Sequence, residues 1–151
     1  MSESNLAEQY CTFHLGEDYY GISVLEVQEV IKPMQLTKIP LSSPMIKGLM
    51  NLRGLIVTSI SLRDMFDLGS TEDQDYMNVI IRDNEELVAL EVDIIDDVLN
   101  LNDESFEEAP DTLGSKIKPF VKGVHKLEGK LLVVLELDKI LKHEGFELVA
   151  S

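Results

Sequence analysis

The sequence predicts a mainly β fold with two similar halves, each containing about five short strands in the pattern of a small barrel. The main observation is an internal repeat: residues 44–66, PMIKGLMNLRGLIVTSISLRDMF, are echoed 75 residues later by residues 119–141, PFVKGVHKLEGKLLVVLELDKIL. Six of the 23 aligned positions are identical, whereas unrelated sequences match at about one or two. The second observation is that short apolar runs alternate with turn residues along most of the chain. The two halves are therefore expected to share one structure.

The repeat also separates residues needed for folding from residues free to serve another purpose. Arg53 stands between Leu52 and Gly54, and its counterpart in the second copy is Glu128, which carries the opposite charge. A turn that accepts either charge does not need a guanidinium for its geometry. Arg53 is therefore a candidate for function.

Turn residues mark the ends of the predicted strands. A hairpin is expected over residues 10–22, turning at Gly16-Glu17-Asp18. A further strand is predicted at residues 34–39, and a second hairpin pairs residues 77–82 with 87–92. Two more strands are predicted at the matching positions of the repeat, 55–62 and 130–137, and both should be central in their sheets. A fainter repeat, shifted by 68 residues, relates the two hairpin regions and places Glu29 on Asp97.

Three short helices are expected between these strands. Val24, Val27 and Ile31 have amphipathic helical spacing, which predicts one or two turns over residues 24–31. Serine followed by Pro44 predicts a helix over residues 44–52. A last helix is predicted over residues 139–143, with Asp138 as its cap, Ile140 and Leu141 facing inward and Gly145 beyond its end.

The length of 151 residues suits a single domain. We expect that domain to span residues 10–145, with halves at about 10–68 and 76–145 between which strands are free to cross. The stretch 69–75 contains no apolar residue and is the expected link between the halves. Residues 1–9 and 146–151 are expected to be loosely ordered tails.

Charge and composition restrict the classes of partner. The net charge of −15 disfavours nucleic acid and anionic membrane surfaces. The single cysteine, Cys11, cannot form an internal disulfide, and the acidic start does not resemble a signal peptide. The longest apolar run, residues 131–135, is far too short to span a bilayer, which takes ~20 residues. A soluble protein in the cytoplasm is expected.

No motif in the sequence indicates catalysis or a cofactor. Cys11 and His14 have a spacing found among metal ligands, but residues three apart on a strand point to opposite faces, so no shared metal is expected. The sequence contains no nucleophile elbow, no phosphate-binding glycine loop and no zinc-protease motif. The chain is therefore expected not to be an enzyme, and a small hydrolase whose site is assembled in space is the remote alternative.

Three segments resemble a known family. YGISVLEVQEVI, GLMNLRGLIV and VALEVDIIDDVL are similar to CheW, the coupling protein of bacterial chemotaxis, and the resemblance extends from about Cys11 to Leu141. It implies two five-stranded SH3-like barrels on a shared apolar core. It also implies an adaptor that links the cytoplasmic tips of chemoreceptors to the regulatory domain of the histidine kinase CheA. CheV-like proteins or further CheW copies in rings are additional implied partners, and the adaptor would reach the membrane only through its partners.

The resemblance also implies residues that bind these partners. They are Val27 and Glu29 of the VQE motif, Arg53 of NLRG, and Ala89, Ile95 and Val98 in the second half. A groove with apolar walls and charges at its rim would suit a helical receptor tip. Spacing alone leaves other interpretations open: Val27, Ile95 and Val98 as core residues, Arg53 as a charge at a helix end, and Glu29 as a solvated residue.

The chain departs from the family pattern at three positions. Thr58 and Ser61 stand where proline and aspartate are common, and Ala89 stands where glycine is common. Ser61 removes a charge, for which Asp64 is a candidate replacement. A coupler for a different kinase pathway, such as pilus motility or development, remains the alternative function.

Overall fold

Two β-sheets and two short helices form the structure, a computed structural model that describes residues 8–40, 44–69, 75–83 and 86–142. The strands are β1 Glu8–Leu15, β2 Asp18–Ser23, β3 Val27–Ile31, β4 Ile46–Leu52, β5 Leu55–Ser61, β6 Met77–Asp83, β7 Glu86–Val92, β8 Ile94–Leu101, β9 Phe106–Glu107, β10 Val121–Leu127 and β11 Lys130–Leu135. The helices are α1 Leu62–Met65 and α2 Leu137–Leu141. The predicted mainly β class is confirmed.

The two sheets have the same internal order, although each takes strands from both halves of the sequence. One sheet runs β8-β1-β2-β11-β10-β9, and the other runs β3-β6-β7-β5-β4. The shift of 68 residues relates β1, β2 and β3 to β6, β7 and β8, and the shift of 75 relates β4 and β5 to β10 and β11. Apart from the two-residue β9, the orders are therefore equivalent. Each hairpin completes the sheet that holds the later strands of the other half.

The repeat is preserved down to local backbone features. The register of the β4–β5 pair shifts between Ile46 and Gly48, and that of the β10–β11 pair shifts between Val121 and Gly123, the aligned positions. The next glycines, Gly54 and Gly129, both have positive φ, +88° and +77°. The predicted matching strands are therefore confirmed, and both are interior strands of their sheets.

The apolar side chains form one large core between the sheets and a smaller core in each sheet. The large core contains Phe13 and Tyr20 from one sheet and Ile60 and Leu90 from the other. Successive residues of β7 alternate between cores, because Leu87 and Ala89 join the smaller core of the five-stranded sheet while Val88 and Leu90 join the large core. The two sheets therefore pack against each other through the large core.

Three regions differ from the sequence-based expectation. Residues 24–31 form a 3₁₀ turn, Val24–Glu26, followed by β3, because the β-branched residues of VQEVI alternate between half-buried and exposed as in a strand. Residues 46–52 form β4 and not a helix, and their burial also alternates with a period of two. Residues 34–39 form no strand; Thr37 alone makes a bridge, to Leu49.

The final helix and the two hairpins agree with the prediction, with small differences. Helix α2 begins at Leu137 and buries Ile140 and Leu141, and Glu136 rather than Asp138 occupies its N-cap position. Both hairpins have the expected strands. The residues on which several other expectations rest, including Ser42, Ser43, Gly145 and parts of the link and tails, lie outside the described ranges.

A buried ion pair connects the two sheets at one end of the shared core. Arg63 on α1 donates two hydrogen bonds to Asp93, Nε to Oδ1 at 2.8 Å and Nη2 to Oδ2 at 2.5 Å. The backbone N–H of Gly16, in the β1–β2 turn, also donates to Asp93 Oδ2, at 2.7 Å. The side chains are only 16% and 6% exposed, so either charge would be costly if left alone.

We expect the substitution Arg63→Met to lower the free energy of unfolding by about 3–5 kcal/mol, because it leaves the Asp93 carboxylate buried without its cation. Urea unfolding measures the change. The control is Lys118→Met, which removes the exposed pair with Asp111 and should cost less than about 1 kcal/mol. Equal small losses for the two variants would contradict a structural role for Arg63.

Burial of His125 makes stability depend on pH. His125 is 1% exposed, and its ring contacts Ser105 Oγ through Nδ1 at 2.8 Å and the Tyr10 hydroxyl through Nε2 at 3.3 Å. Burial lowers the pKa of His125, since it disfavours the charged imidazolium. The unfolded chain therefore binds a proton more readily than the folded protein, and this contribution to stability is present above pH ~6.5 and is lost as the pH falls through the lower, folded pKa.

The expected result is a free energy of unfolding that decreases from pH 7.5 to pH 5.5 with a slope that is reduced in His125→Gln. Urea unfolding at each pH measures both slopes, and their difference isolates His125 from the carboxylates that titrate in both proteins. Parallel profiles for the two proteins would show that His125 titrates alike in the folded and unfolded chains.

Candidate partner-binding surface

Arg53 and Glu29, two residues that the sequence singled out, form an ion pair. Arg53 lies in the two-residue turn between β4 and β5, where its φ of +51° and the +88° of Gly54 match a type I′ hairpin turn. Asn51 Oδ1 accepts a hydrogen bond from Gly54 N at 2.8 Å and fixes the turn. From there Arg53 Nη2 donates to the Glu29 carboxylate on β3. The fold therefore joins two motifs that are 24 residues apart.

The pair is accessible to a partner. The Arg53 side chain is 65% exposed and the Glu29 side chain is 27% exposed. Exposed ion pairs contribute about 0–1 kcal/mol to stability, so the pair is not needed to hold the sheet together. The interpretation of Arg53 as a charge at a helix end does not apply, because residues 46–52 form a strand.

Val27 lies on β3, and Ile95 and Val98 lie on β8; each of these strands is one edge of its sheet. Val27 and Ile95 occupy equivalent positions in the two halves, and both are half-buried against the large core. Val98 is 55% exposed and pairs across the ladder with Cys11. Val98 is thus not a core residue, whereas Val27 and Ile95 divide their surface between the core and solvent.

Ala89 differs from the other candidates because it is fully buried. It lies on β7 between Ile80 and Ser59 and belongs to the smaller core of the five-stranded sheet. It therefore presents no side-chain surface to a partner in this structure. A substitution at Ala89 would act first on the packing of this smaller core, which includes Met50 and Val57.

Ser61, where the chain departs from the family pattern, and Asp64, the candidate replacement for the missing charge, have local structural roles. Ser61 Oγ accepts a hydrogen bond from Asp64 N at 3.2 Å and so caps α1. The Asp64 carboxylate lies 2.6 Å from Lys47 Nζ. The serine therefore serves as the N-cap of α1, a position that serine and aspartate both favour.

Sequence reasoning missed several large aliphatic side chains that are exposed. Leu25, Leu55, Ile56 and Ile94 are 94%, 52%, 62% and 58% exposed. Leu55 and Ile56 directly follow the Arg53 turn, and their counterparts in the second copy are Lys130 and Leu131. The repeat therefore contains a signal for Leu55, because an apolar residue stands opposite the charged Lys130. The same comparison of the two copies singled out Arg53.

Cys11 and His14 make separate interactions. Cys11 is buried in the large core, and burial raises the pKa of its thiol. His14 Nε2 lies 2.9 Å from Asp96 Oδ2, and this hydrogen bond, with the backbone N–H of Asp97, lowers the pKa of the Asp96 carboxyl. Within the described ranges no three His, Cys, Asp or Glu side chains are placed to hold a metal ion. No helix in the same ranges has the length and apolar character needed to cross a membrane.

An exposed ion pair near uncovered aliphatic side chains is a feature found on the surfaces of protein-interaction modules. The model of the CheW-like domain matches residues 9–145. The chain is 31% identical over 150 residues to the chemotaxis protein CheW of Klebsiella aerogenes, covering 99% of this chain and 90% of the relative. It is 30% identical over 147 residues to the chemotaxis protein CheW of Bacillus subtilis, covering 95% and 93%.

A solved structure agrees with these relatives. The crystal structure of the scaffolding protein TtCheW from Thermoanaerobacter tengcongensis superposes with a TM-score of 0.82 at 27% identity, covering 96% of this chain and 94% of that one. The chain therefore belongs to the CheW family, the coupling adaptors of bacterial chemotaxis.

Proposed function

We propose that this chain links the cytoplasmic tips of chemoreceptors to the histidine kinase CheA, acts without catalysis and binds the kinase through its regulatory domain. Membership of the CheW family supports the adaptor role. The observation that carries the site is the exposed Arg53–Glu29 pair, because it combines the two family motifs in one place. The adaptor works in the cytoplasm and reaches receptor arrays at the inner membrane through its partners. CheV-like proteins and further CheW copies are additional candidate partners in such arrays.

The surface residues fall into two kinds that suit protein partners. Val27, Ile95 and Val98 offer apolar area on the outer strands of both sheets, and Glu29 and Arg53 add charges beside one of them. A receptor hairpin presents helices, which bind through apolar side chains with charges at the rim. The same surface would serve a coupler for a different kinase pathway, and that alternative predicts binding to a kinase other than CheA.

Isothermal titration of the full chain into the regulatory domain of CheA from the same organism tests the proposal at two salt concentrations. Saturable one-to-one binding that weakens with salt is expected, because charges at the rim of an interface are screened. No binding up to about 100 μM, which corresponds to about 5.5 kcal/mol, would favour the coupler of a different pathway.

Charge reversal at Arg53 should weaken binding of the CheA regulatory domain at least ~10-fold, since charge-assisted hydrogen bonds contribute about 1.5–3 kcal/mol. The variant is Arg53→Glu, and titration calorimetry measures the affinity. The unfolding midpoint should stay the same because the pair is exposed. The matched control is Lys126→Glu, which reverses a charge on a 70% exposed side chain of the other sheet.

A double variant separates a partner contact from the internal pair. Arg53→Glu combined with Glu29→Arg restores the pair with the charges exchanged. We expect it to remain weak, because the guanidinium no longer stands at the turn. Full recovery of affinity would mean that binding needs only an intact ion pair, and unchanged affinity in Arg53→Glu alone would remove Arg53 from the interface.

A further inference from the structure

A short segment, residues 102–107, forms one edge of the six-stranded sheet, and we call it the strap. It consists of a single 3₁₀ turn, Asp103–Ser105, and the two-residue strand β9. Two residue pairs, Val124 with Glu107 and His125 with Phe106, join the strap to β10. Elements with so few backbone pairings are among the parts of a structure that open most readily.

The strap lies directly on the backbone of β10. A Cβ built at Gly123 would stand 2.2 Å from Phe106 Cζ and 2.7 Å from Glu107 O, so glycine leaves the room that this crossing needs. The first half of the chain has a similar crossing, because a Cβ built at Gly48 would stand 2.6 Å from Thr37 O. Gly48 and Gly123 are aligned in the repeat, and a crossing segment at this place therefore belongs to the fold.

The residue beneath the crossing differs between the two halves. His125 aligns with Met50, and both residues are buried, at 1% and 2% exposure. Met50 belongs to the smaller core of the five-stranded sheet. The fold therefore accepts an apolar side chain at this position, and a titratable imidazole is not needed to hold a crossing segment in place.

A chain of hydrogen bonds connects His125 to the strap. The Tyr10 hydroxyl donates to Glu8 Oε2 at 3.3 Å, so its oxygen accepts from Nε2–H of His125, also at 3.3 Å. Nδ1 of His125 then accepts from the Ser105 hydroxyl at 2.8 Å. This arrangement uses the neutral ring, because a proton on Nδ1 removes the acceptor for the Ser105 hydroxyl.

Burial has the largest influence on the charge of His125. The ring packs against Phe106 of the strap, with 5.1 Å between the ring centroids, and Leu132 is its neighbour on β11. This cover disfavours the imidazolium and lowers the pKa of His125. Release of the strap would remove part of the cover and return the pKa toward its ordinary value of ~6.5.

Charged groups on the strap, β1 and β10 also act at this place. The carboxylates of Asp103 and Glu8 favour the imidazolium, but their influence is smaller than that of burial. Glu107 pairs with Lys126, with 3.4 Å between Oε2 and Nζ, and both side chains are at least half exposed. A proton on His125 is therefore held more readily when the strap is open than when it is closed.

We propose that uptake of a proton by His125 releases residues 102–107 from β10 while the rest of the six-stranded sheet stays folded. Release breaks the Ser105 hydrogen bond and the two strand pairs, and it gives the charged ring access to water. It uncovers the edge of β10 and part of the smaller core of this sheet, which contains Tyr10. An uncovered strand edge is a template for pairing with another strand. This acid-sensitive device does not depend on the proposed function.

Amide hydrogen exchange of the full chain, followed by NMR between pH 7.5 and pH 5.5, tests the proposal. Protection factors divide out the intrinsic exchange rate, so their change with pH reports opening. The amides of the strap and of its partners on β10 report local release. The amide of Val133, on the interior strand β11, reports unfolding of the sheet.

Three variants separate His125 from other causes. His125→Met copies the residue of the first half and removes the titrating group. Asp103→Asn keeps His125 and removes a carboxylate that favours its charged form. The matched control is Glu108→Gln, which removes an exposed carboxylate of the same acidic stretch that does not act on His125.

In the wild type, opening of the strap should increase by up to ~10-fold from pH 7.5 to pH 5.5, the limit for one proton with a pKa of ~6.5 in the open state. His125→Met should lose this increase, whatever its protection at pH 7.5. Asp103→Asn should steepen it, because the closed ring then holds a proton less readily, and Glu108→Gln should match the wild type. Strap amides should exchange faster than that of Val133 at each pH.

Two results would overturn the proposal. One is an equal dependence on pH in the wild type and in His125→Met, which would remove His125 as the cause. The other is a strap as well protected as Val133 at each pH, which would mean that the strap opens only when the whole sheet unfolds.

Discussion

The two parallel strand pairs that join the halves of the chain are the contacts on which the rest of the structure depends. Tyr19–Gly21 of β2 pair with Leu132–Val134 of β11, and Val57–Ser61 of β5 pair with Leu87–Glu91 of β7. Each pair joins a hairpin from one half to the later strands of the other half. Parallel strands require long connections, and here residues 62–85 connect β5 to β7 while residues 24–129 separate β2 from β11. Neither half therefore completes its sheet or the large core alone.

The two copies share their strand order and the conformation of the turn glycines, whereas their polar contacts differ. Arg63 aligns with Asp138, and Asp93 aligns with Leu25, so the buried Arg63–Asp93 pair has no counterpart at the equivalent place. Leu25, at the position equivalent to a buried carboxylate, is 94% exposed. The contrast between Arg53 and Glu128 belongs to the same pattern.

The secondary structure could be predicted from the sequence where apolar and polar residues alternate strictly or where turn residues are clear. The rest of the secondary structure and of the candidate site depends on long-range contacts. The hairpins and the strands after Gly54 and Gly129 were correct because glycine turns and apolar runs are local signals. The prediction of helix at residues 24–31 and 46–52 was wrong, because such short segments fit both a helical period and a strand period. The burial of Ala89 could not be predicted, because every residue from Leu87 to Leu90 is apolar and the chain does not show which face meets which core. The contact between Glu29 and Arg53 depends on the relative positions of β3 and the β4–β5 turn, which no local pattern specifies.

The Arg53–Glu29 ion pair lies at the proposed interface and affects how strongly a partner can bind there. Arg53 already donates to Glu29, so a partner carboxylate must share or replace that contact. Because the pair is exposed, replacing it costs at most about 1 kcal/mol, and the guanidinium has five donors of which the pair uses one. Glu29 can therefore hold the Arg53 side chain in place without preventing a second contact. Such preorganisation lowers the entropy lost on binding while keeping each contact replaceable. An adaptor that joins several partners needs this combination, since contacts that exchange readily allow an assembly to form and rearrange without unfolding its parts.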